Sequence, residues 1–181
     1  MLTARWRDAD GASLEHCALS IGDEGVVVES IVIAGAFGLR YRVACDAEWR
    51  TRAVDVELVG TARAVHLLAD GAGAWWSEGA SCPELRGAID VDITATPLTN
   101  TLPIRRLSWR DGDASEITVA YVTVPEMTVT RDRQRYTKLT DRRFRFEALE
   151  SDFTRDLDVD EHGLVVHYPG LFERVAPGRA I

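Results

Sequence analysis

The residues best able to do chemistry lie between Asp90 and Arg106, in the run DVDITATPLTNTLPIRR. Asp90 and Asp92 fall on one face of a predicted strand and could form a carboxylate pair. Hydroxyl and amide side chains follow at residues 98–102, and then Arg105 and Arg106. Guanidinium groups suit anionic or polyhydroxylated ligands through paired hydrogen bonds. In the structural alternative, which these residues alone favour, the segment plugs the end of a sheet and the arginines pair with nearby acids.

Two prolines define an insert at residues 97–103. The alternation of Val91 and Ile93 with polar residues predicts a strand that stops before Pro97. Proline fixes its own φ and favours an extended residue before it, so Pro97 and Pro103 stiffen the segment. We expect a short helix or turn here, followed by a strand over residues 104–110.

Aromatic and arginine residues outside the insert are further candidates. The chain has five tryptophans, whose rings bury a large area and whose indole N–H donates to oxygen. Trp49 lies beside Arg50 and Arg52. In the predicted strand over residues 127–139, arginines at 131, 133 and 135 alternate with Asp132, Gln134 and Tyr136. The pattern leaves open which of these two faces points inward.

Motifs of known catalytic and metal sites are missing from the sequence. It contains no GxSxG, HExxH or Walker A motif. Its three cysteines and four histidines have no zinc-site spacing. We therefore expect no catalytic residues, no metal ligands and no cofactor.

Composition limits the class of protein. At 181 residues we predict one domain, residues 1–181. The net charge of −8 argues against general binding to nucleic acid or anionic membranes. Three sparse cysteines indicate reduced thiols. The first residues have no apolar signal region, and no apolar run is long enough to span a bilayer. We expect a cytoplasmic protein without integral membrane association, as a monomer or homodimer.

The chain predicts a mostly β fold. About a dozen strand-like segments are separated by turn signals at intervals of 8 to 12 residues, as in a barrel or a large folded sheet. Helices are expected only in the insert and at residues 148–154. Tyr41-Arg42-Val43 resembles Phe144-Arg145-Phe146, and further matches follow in the same order. We therefore predict two similar β units, residues 13–76 and 115–175, joined by the segment that holds the insert.

Several runs resemble one bacterial family, the "putative glycolipid-binding" family, first known as a domain of unknown function. The run from Asp92 through TPLTNTLPIRRL to Leu107 carries the resemblance. The runs RQRYT at residues 133–137, Asp158–Asp160 and Tyr168-Pro169 support it. The resemblance implies an incomplete β-barrel around a cavity, similar to bacterial lipoprotein-localisation carriers, and it brings no catalytic residues.

Three functions remain open. The first is binding or carriage of a glycolipid-like amphiphile. The second is a structural or interaction module that self-associates through β edges. The third is an enzyme acting on a small anionic or phosphorylated substrate, which requires Asp92, Arg105, Arg106 and Tyr136 to converge. For an amphiphile, the residues expected to hold the ligand are Trp49, Arg52, Trp75, Asp92, Thr99, Asn100, Arg105, Arg106, Gln134 and Tyr136.

Overall fold

A computed structural model describes residues 1–176, in which fifteen strands form one sheet. In chain order these strands are β1 (Leu2–Asp8), β2 (Ser13–Gly22), β3 (Gly25–Ala34), β4 (Gly38–Cys45), β5 (Thr51–Leu58), β6 (Ala64–Ala69), β7 (Trp75–Ser77), β8 (Ala80–Ser81), β9 (Asp90–Ile93), β10 (Ala114–Thr123), β11 (Thr128–Thr140), β12 (Arg143–Ala148), β13 (Thr154–Val159), β14 (Val165–Tyr168) and β15 (Phe172–Arg174). One α-helix, α1 (Thr101–Arg106), and two single-turn 3₁₀ segments, Pro83–Leu85 and Leu98–Asn100, complete the described secondary structure.

The sheet has its first and last strands at its centre. Its order is β8-β7-β6-β5-β4-β3-β2-β1-β15-β14-β13-β12-β11-β10-β9, and all neighbours are antiparallel except β9 and β10. The sheet curves so that β9 approaches the start of β5. The Thr51 N–H donates to the Ile89 carbonyl at 3.3 Å, and the Val91 N–H donates to Thr51 Oγ1 at 3.2 Å. The sheet is not closed, so the prediction of a mostly β, incomplete barrel is confirmed.

The insert fills the concave face of this sheet, which we call the inner face. Leu98 and Leu102 have no exposed surface and pack in the core of the first half, while Ile104, which follows the insert, packs in the core of the second half. Hydrogen bonds tie the insert and its approach to both halves: Tyr41 OH with Thr96 Oγ1 at 3.1 Å, and Thr101 Oγ1 to the Gly163 carbonyl at 3.0 Å. This placement is what the structural interpretation of the insert expects.

Two local predictions are wrong. Residues 104–110 form no strand, because α1 runs through Arg106. Pro103 is tolerated there since it lies in the first helical turn, where a backbone N–H has no partner within the helix. Residues 148–154 form no helix. Instead the Ala148 N–H donates to the Phe153 carbonyl at 2.9 Å and closes the connection between β12 and β13.

The predicted duplication remains a proposal, and the strand order supports it. Strands β2 to β7 and β10 to β15 are two runs of six strands, each connected to the next as antiparallel neighbours. On the outer face, His66 Nδ1 lies 2.9 Å from Asp55, and His167 Nδ1 lies 3.9 Å from Asp158. These two pairs occupy corresponding strands, β5–β6 and β13–β14.

Candidate functional site

A cavity of about 470 Å³ opens on the inner face of the second half, beside the insert. Backbone strand alternation explains its walls. β11 turns Asp132 and Gln134 toward the cavity and turns Arg133 and Arg135 to the outer face, where both bind Glu116. The arginine face of β11, whose orientation the sequence left undecided, is therefore the outward, salt-bridged face. The opposite face of β11 forms the cavity wall.

One wall of the cavity is polar and is organised around Asp92 at the end of β9. Thr99 Oγ1 donates to Asp92 Oδ1 at 2.7 Å, and Gln134 Nε2 donates to Asp92 Oδ2 at 2.7 Å. The same Gln134 nitrogen lies 3.3 Å from Asp132 Oδ2. Gln134 is almost fully buried, so one amide group holds two carboxylates in place along the wall.

The electrostatics of this wall are set by burial. Desolvation raises the pKa of Asp92, and the charge of nearby Asp132 raises it further, while the hydrogen bonds from Thr99 and Gln134 oppose the shift. Desolvation also raises the pKa of Asp132. No salt bridge to either carboxylate forms within residues 1–176. These two groups thus lie in a poorly solvated place with hydrogen-bond donors but without a paired cation.

Much of the remaining cavity lining is aromatic. The rings that line the cavity are those of Tyr121, Phe146, Phe153, Tyr168 and Phe172. Phe146 makes edge-to-face contacts with Phe153, at 5.9 Å between centroids, and with Tyr168, at 6.4 Å. Interlocked rings of this kind hold their positions through packing and offer a broad apolar surface to a ligand.

Five of the residues predicted to hold a ligand come together here. Asp92, Asn100 and Gln134 line the cavity, and Thr99 binds Asp92 from the insert. Tyr136, 2% exposed, lies behind this wall and donates from its hydroxyl to Asn100 Oδ1 at 2.8 Å. Asn100 Nδ2 in turn donates to the Pro97 carbonyl at 3.1 Å.

The other five lie elsewhere. Arg106 binds Asp90 through two hydrogen bonds. The guanidinium of Arg105 stacks 5.2 Å from the ring centroid of Trp49. Trp75 is buried and donates from its indole nitrogen to the Ala88 carbonyl at 2.8 Å, and Arg52 Nε donates to the Ala69 carbonyl at 3.1 Å. Because Arg105 and Arg106 do not line the cavity, the four residues of the enzyme hypothesis do not form one site.

The sequence interpretation missed Asp132 and the five rings as site residues. A usable signal existed for Asp132, because Tyr136 on the same face of β11 lies opposite Phe146 in the β11–β12 register. Phe144 and Phe146 alternate with arginines, which indicates their buried face. Extending that face across the hairpin would have placed Tyr136, Gln134 and Asp132 inside.

A second hollow, of about 500 Å³, lies on the outer face of β2 to β5. Its side chains are mostly outward residues that already satisfy one another, such as Arg40 and Glu57, 2.6 Å apart. It touches neither the insert nor the buried carboxylates. The inner cavity is therefore the stronger candidate for a ligand site.

Comparison with known proteins decides the family. The family model described as "Putative glycolipid-binding" matches residues 3–174. The chain belongs to this family. A crystal structure of a DUF1089 family protein from Pseudomonas aeruginosa is 40% identical, with a TM-score of 0.81, and the match covers 91% of this chain and 92% of that one. No curated protein matches the sequence. The family resemblance that the insert and the charged strand indicated is thus confirmed.

Within residues 1–176, no helix has the length and apolar character needed to cross a bilayer. In the same residues, no group of three His, Cys, Asp or Glu side chains could hold a metal ion.

Proposed function

We propose that this protein binds an amphiphile in the inner cavity, with an apolar part against the rings and a hydroxyl-bearing headgroup against the polar wall. The observation that carries this proposal is the mixed lining of one cavity. Carboxylate and amide side chains line it together with five aromatic rings. Its volume of about 470 Å³ falls within the range of roughly 300–1,000 Å³ typical of ligand pockets.

The apolar wall supports the tail of such a ligand. The lining includes three side chains without polar atoms, those of Phe146, Phe153 and Phe172. Hydrocarbon that packs on them is removed from water, which favours binding. Each buried methylene group would contribute about 0.8 kcal/mol. The aromatic rings also suit the C–H faces of a sugar, which pack flat on aromatic rings.

The polar wall supports the headgroup. Asp92 and Asp132 each have lone pairs beyond those engaged by Thr99 and Gln134. Hydroxyl groups donating to these oxygens would relieve the desolvation of the two carboxylates. The family description names a glycolipid, and a sugar headgroup on an acyl tail has the chemistry that both walls require.

Filling the cavity tests the proposal. Ala148 lines it, and an Ala148→Trp substitution should occupy the space of the ligand. Ala18→Trp, on the outer face of β2, adds the same side chain outside the cavity and is the matched control. Binding of dodecyl β-glucoside, below its micelle concentration, is followed by titration calorimetry. Native mass spectrometry of freshly purified protein looks for a retained amphiphile.

The expected result is binding by the unsubstituted protein and by Ala18→Trp, and no binding by Ala148→Trp. Circular dichroism checks that both variants keep the β fold. Equal binding by all three proteins would place the ligand outside the cavity. No binding of the glucoside or of fluorescent fatty acids, and no retained amphiphile, would reject the function.

The interaction-module alternative depended on long free edges. The edge strands of the sheet are β8, with two residues, and β9, with four. Short edges give little backbone for pairing with another chain. The cavity therefore supports ligand binding better than the edges support self-association.

The proposed compartment is the cytoplasm. Cys17, Cys45 and Cys82 are all free, and the first two are buried. Unpaired thiols of this kind are typical of reducing compartments. Secretion of the native protein with these thiols oxidised would contradict this assignment.

A further inference from the structure

The cavity carries negative charge that no lining residue neutralises. Asp92, Asp132 and Glu150 line it, and within residues 1–176 no arginine, lysine or histidine is among its lining side chains. In the described chain, the Gln134 amide is the side-chain donor that reaches both Asp92 and Asp132. The wall thus offers acceptors in excess of donors.

One arginine on the inner side of the sheet, Arg155, is engaged by other groups. Arg155 faces Phe146 across the β12–β13 pair, so it lies on the inner side of the sheet. Its guanidinium carbon lies 4.7 Å from the Phe153 centroid, and its Nη1 donates to the Thr154 carbonyl at 2.7 Å. It makes no ion pair with Asp92, Asp132 or Glu150. Arg133 and Arg135 of β11 point to the other face of the sheet and bind Glu116.

Aromatic rings beside these carboxylates complete a site for an organic cation. Ring faces attract an ammonium group through their quadrupole, and a carboxylate supplies the counter-charge and accepts N–H donors. Tyr121, on β10, is the register neighbour of Asp92 on β9. Burial raises the pKa of its hydroxyl, and the charges of Asp92 and Asp132 raise that pKa further. Its hydroxyl therefore stays neutral and can join the polar wall as donor or acceptor.

A metal ion or an anionic headgroup fits this wall poorly. In the described chain, no three of its acidic side chains are placed to hold a metal ion. A phosphate would bring like charge close to two desolvated carboxylates, which disfavours its binding.

We propose that the headgroup bound in this cavity carries a protonated amine, placed against Asp92 and Asp132, so that the ligand is an amino-sugar lipid or a similar aminated amphiphile. This inference rests on the proposed function and specifies the chemical class of its ligand. The arginines next to the insert take no part in the cavity because they have other partners. Arg106 pairs with Asp90, and Arg105 stacks on Trp49.

Three ligands with the same tail test the proposal: dodecyl β-glucoside, its 2-amino-2-deoxy analogue, and dodecyl phosphate. Calorimetry at pH 7 and low salt gives three dissociation constants. The amine should bind about tenfold tighter than the glucoside, as expected for one hydrogen-bonded charge pair in a partly buried site. Dodecyl phosphate should bind more weakly than either.

Substitutions assign the preference to the wall. Asp132→Asn should remove most of the tenfold difference, because it weakens binding of the amine more than binding of the glucoside. Glu150→Gln, at an exposed position, should reduce the difference less and serves if Asp132→Asn fails to fold. Glu116→Gln removes a carboxylate from the opposite face and should leave the difference unchanged.

The outcomes separate the two proposals. If none of the three ligands binds to folded protein, the proposed function fails. If the glucoside binds and the amine binds no tighter, the function stands and the amine inference is overturned. Tightest binding by dodecyl phosphate, or an amine preference equally lost in Glu116→Gln, also overturns it.

Discussion

Arg106 holds Asp90 in a two-point ion pair at a place where Asp90 has no exposed side chain. Nε lies 3.0 Å from Oδ1 and Nη2 lies 2.6 Å from Oδ2. This bond connects the last turn of α1 to the first residue of β9, and thus fixes the two flanks of the insert to each other. It makes Arg106 a structural residue, as the sequence alone favoured.

Arg106→Ala should lower the free energy of unfolding by about 3–5 kcal/mol, because it leaves a buried carboxylate without its partner. Urea unfolding measures the change. Arg40→Ala removes an equally short pair with Glu57 on the exposed outer face and should cost no more than about 1 kcal/mol. Similar losses in the two variants would show that burial does not decide the strength of the Asp90 pair.

The hydrogen bond between Tyr136 and Asn100 should couple the insert to β11. Asn100→Ala leaves the buried Tyr136 hydroxyl without an acceptor and should cost about 1–3 kcal/mol. Tyr136→Phe removes the hydroxyl itself. In the double variant the two losses should not add, and the shortfall measures the bond. Full additivity in urea unfolding would mean that the contact contributes nothing to stability.

Glu15 should make stability depend on pH. Its Oε1 accepts hydrogen bonds from Ser30 at 2.7 Å and from Tyr41 at 2.6 Å, whereas its buried Oε2 has no partner in the described chain. Burial raises its pKa, and the bonds from Tyr41 and Ser30 only partly offset that shift. The folded protein therefore holds this proton more tightly than the unfolded chain, so its contribution to stability is lost as pH rises through the folded pKa.

Glu15→Gln removes this titration and keeps an oxygen for Ser30 and Tyr41. Relative to the unsubstituted protein, the unfolding free energy of the variant should rise between pH 4 and pH 8, because the variant lacks the group whose stabilising proton is lost over that range. Unfolding in urea across that range measures it. Glu29→Gln, at an exposed position of β3, is the control. A constant difference across pH in Glu15→Gln would contradict the expectation.

Gly163 lies close to α1, so a side chain at this position should lower stability. Its φ is +77°, and a Cβ there would lie 3.2 Å from Arg105 Cδ and 3.3 Å from Ile104 Cγ2. Gly170 has a nearly equal φ of +76° with no atom within 4 Å of that Cβ. Gly170→Ala should therefore show only the backbone cost, about 1–2 kcal/mol.

Gly163→Ala should lose more stability than Gly170→Ala, because the new methyl group would also crowd the side chains of Ile104 and Arg105 on α1. Thermal unfolding of the two variants gives the difference. Equal losses would mean that α1 shifts without cost.

Much of the fold could be predicted from local sequence. Alternation places Tyr41, Val43, Val54 and Val56 inside and predicts their strands, because one buried face imposes a period of two. The helix in the insert was expected from its prolines, but its length was not. Leu102 and Ile104 pack against opposite halves of the sheet, and that tertiary burial extends the helix into a segment whose local pattern resembles a strand.

The site was harder to predict than the fold. Asp90 and Asp92 look equivalent in sequence, yet Arg106 neutralises the first and only neutral donors reach the second. The local sequence does not distinguish them. Arg106 comes from a helix, and Gln134 comes from a strand some forty residues away from Asp92. The two faces of β11 are both polar, so only the hairpin partner Phe146 fixes which face meets the cavity.

The pairing of β1 with β15 has a consequence for synthesis on the ribosome. Trp6 lies opposite Arg174, so nearly the whole described chain must emerge before the middle of the sheet can close. The hairpins of the first half can assemble early, but the edge of β1 that pairs with β15 stays unpaired until the end of synthesis. Non-local pairing of this kind slows folding and exposes a strand edge in the meantime. Nascent chains stalled before β15 should therefore be the form most dependent on chaperones.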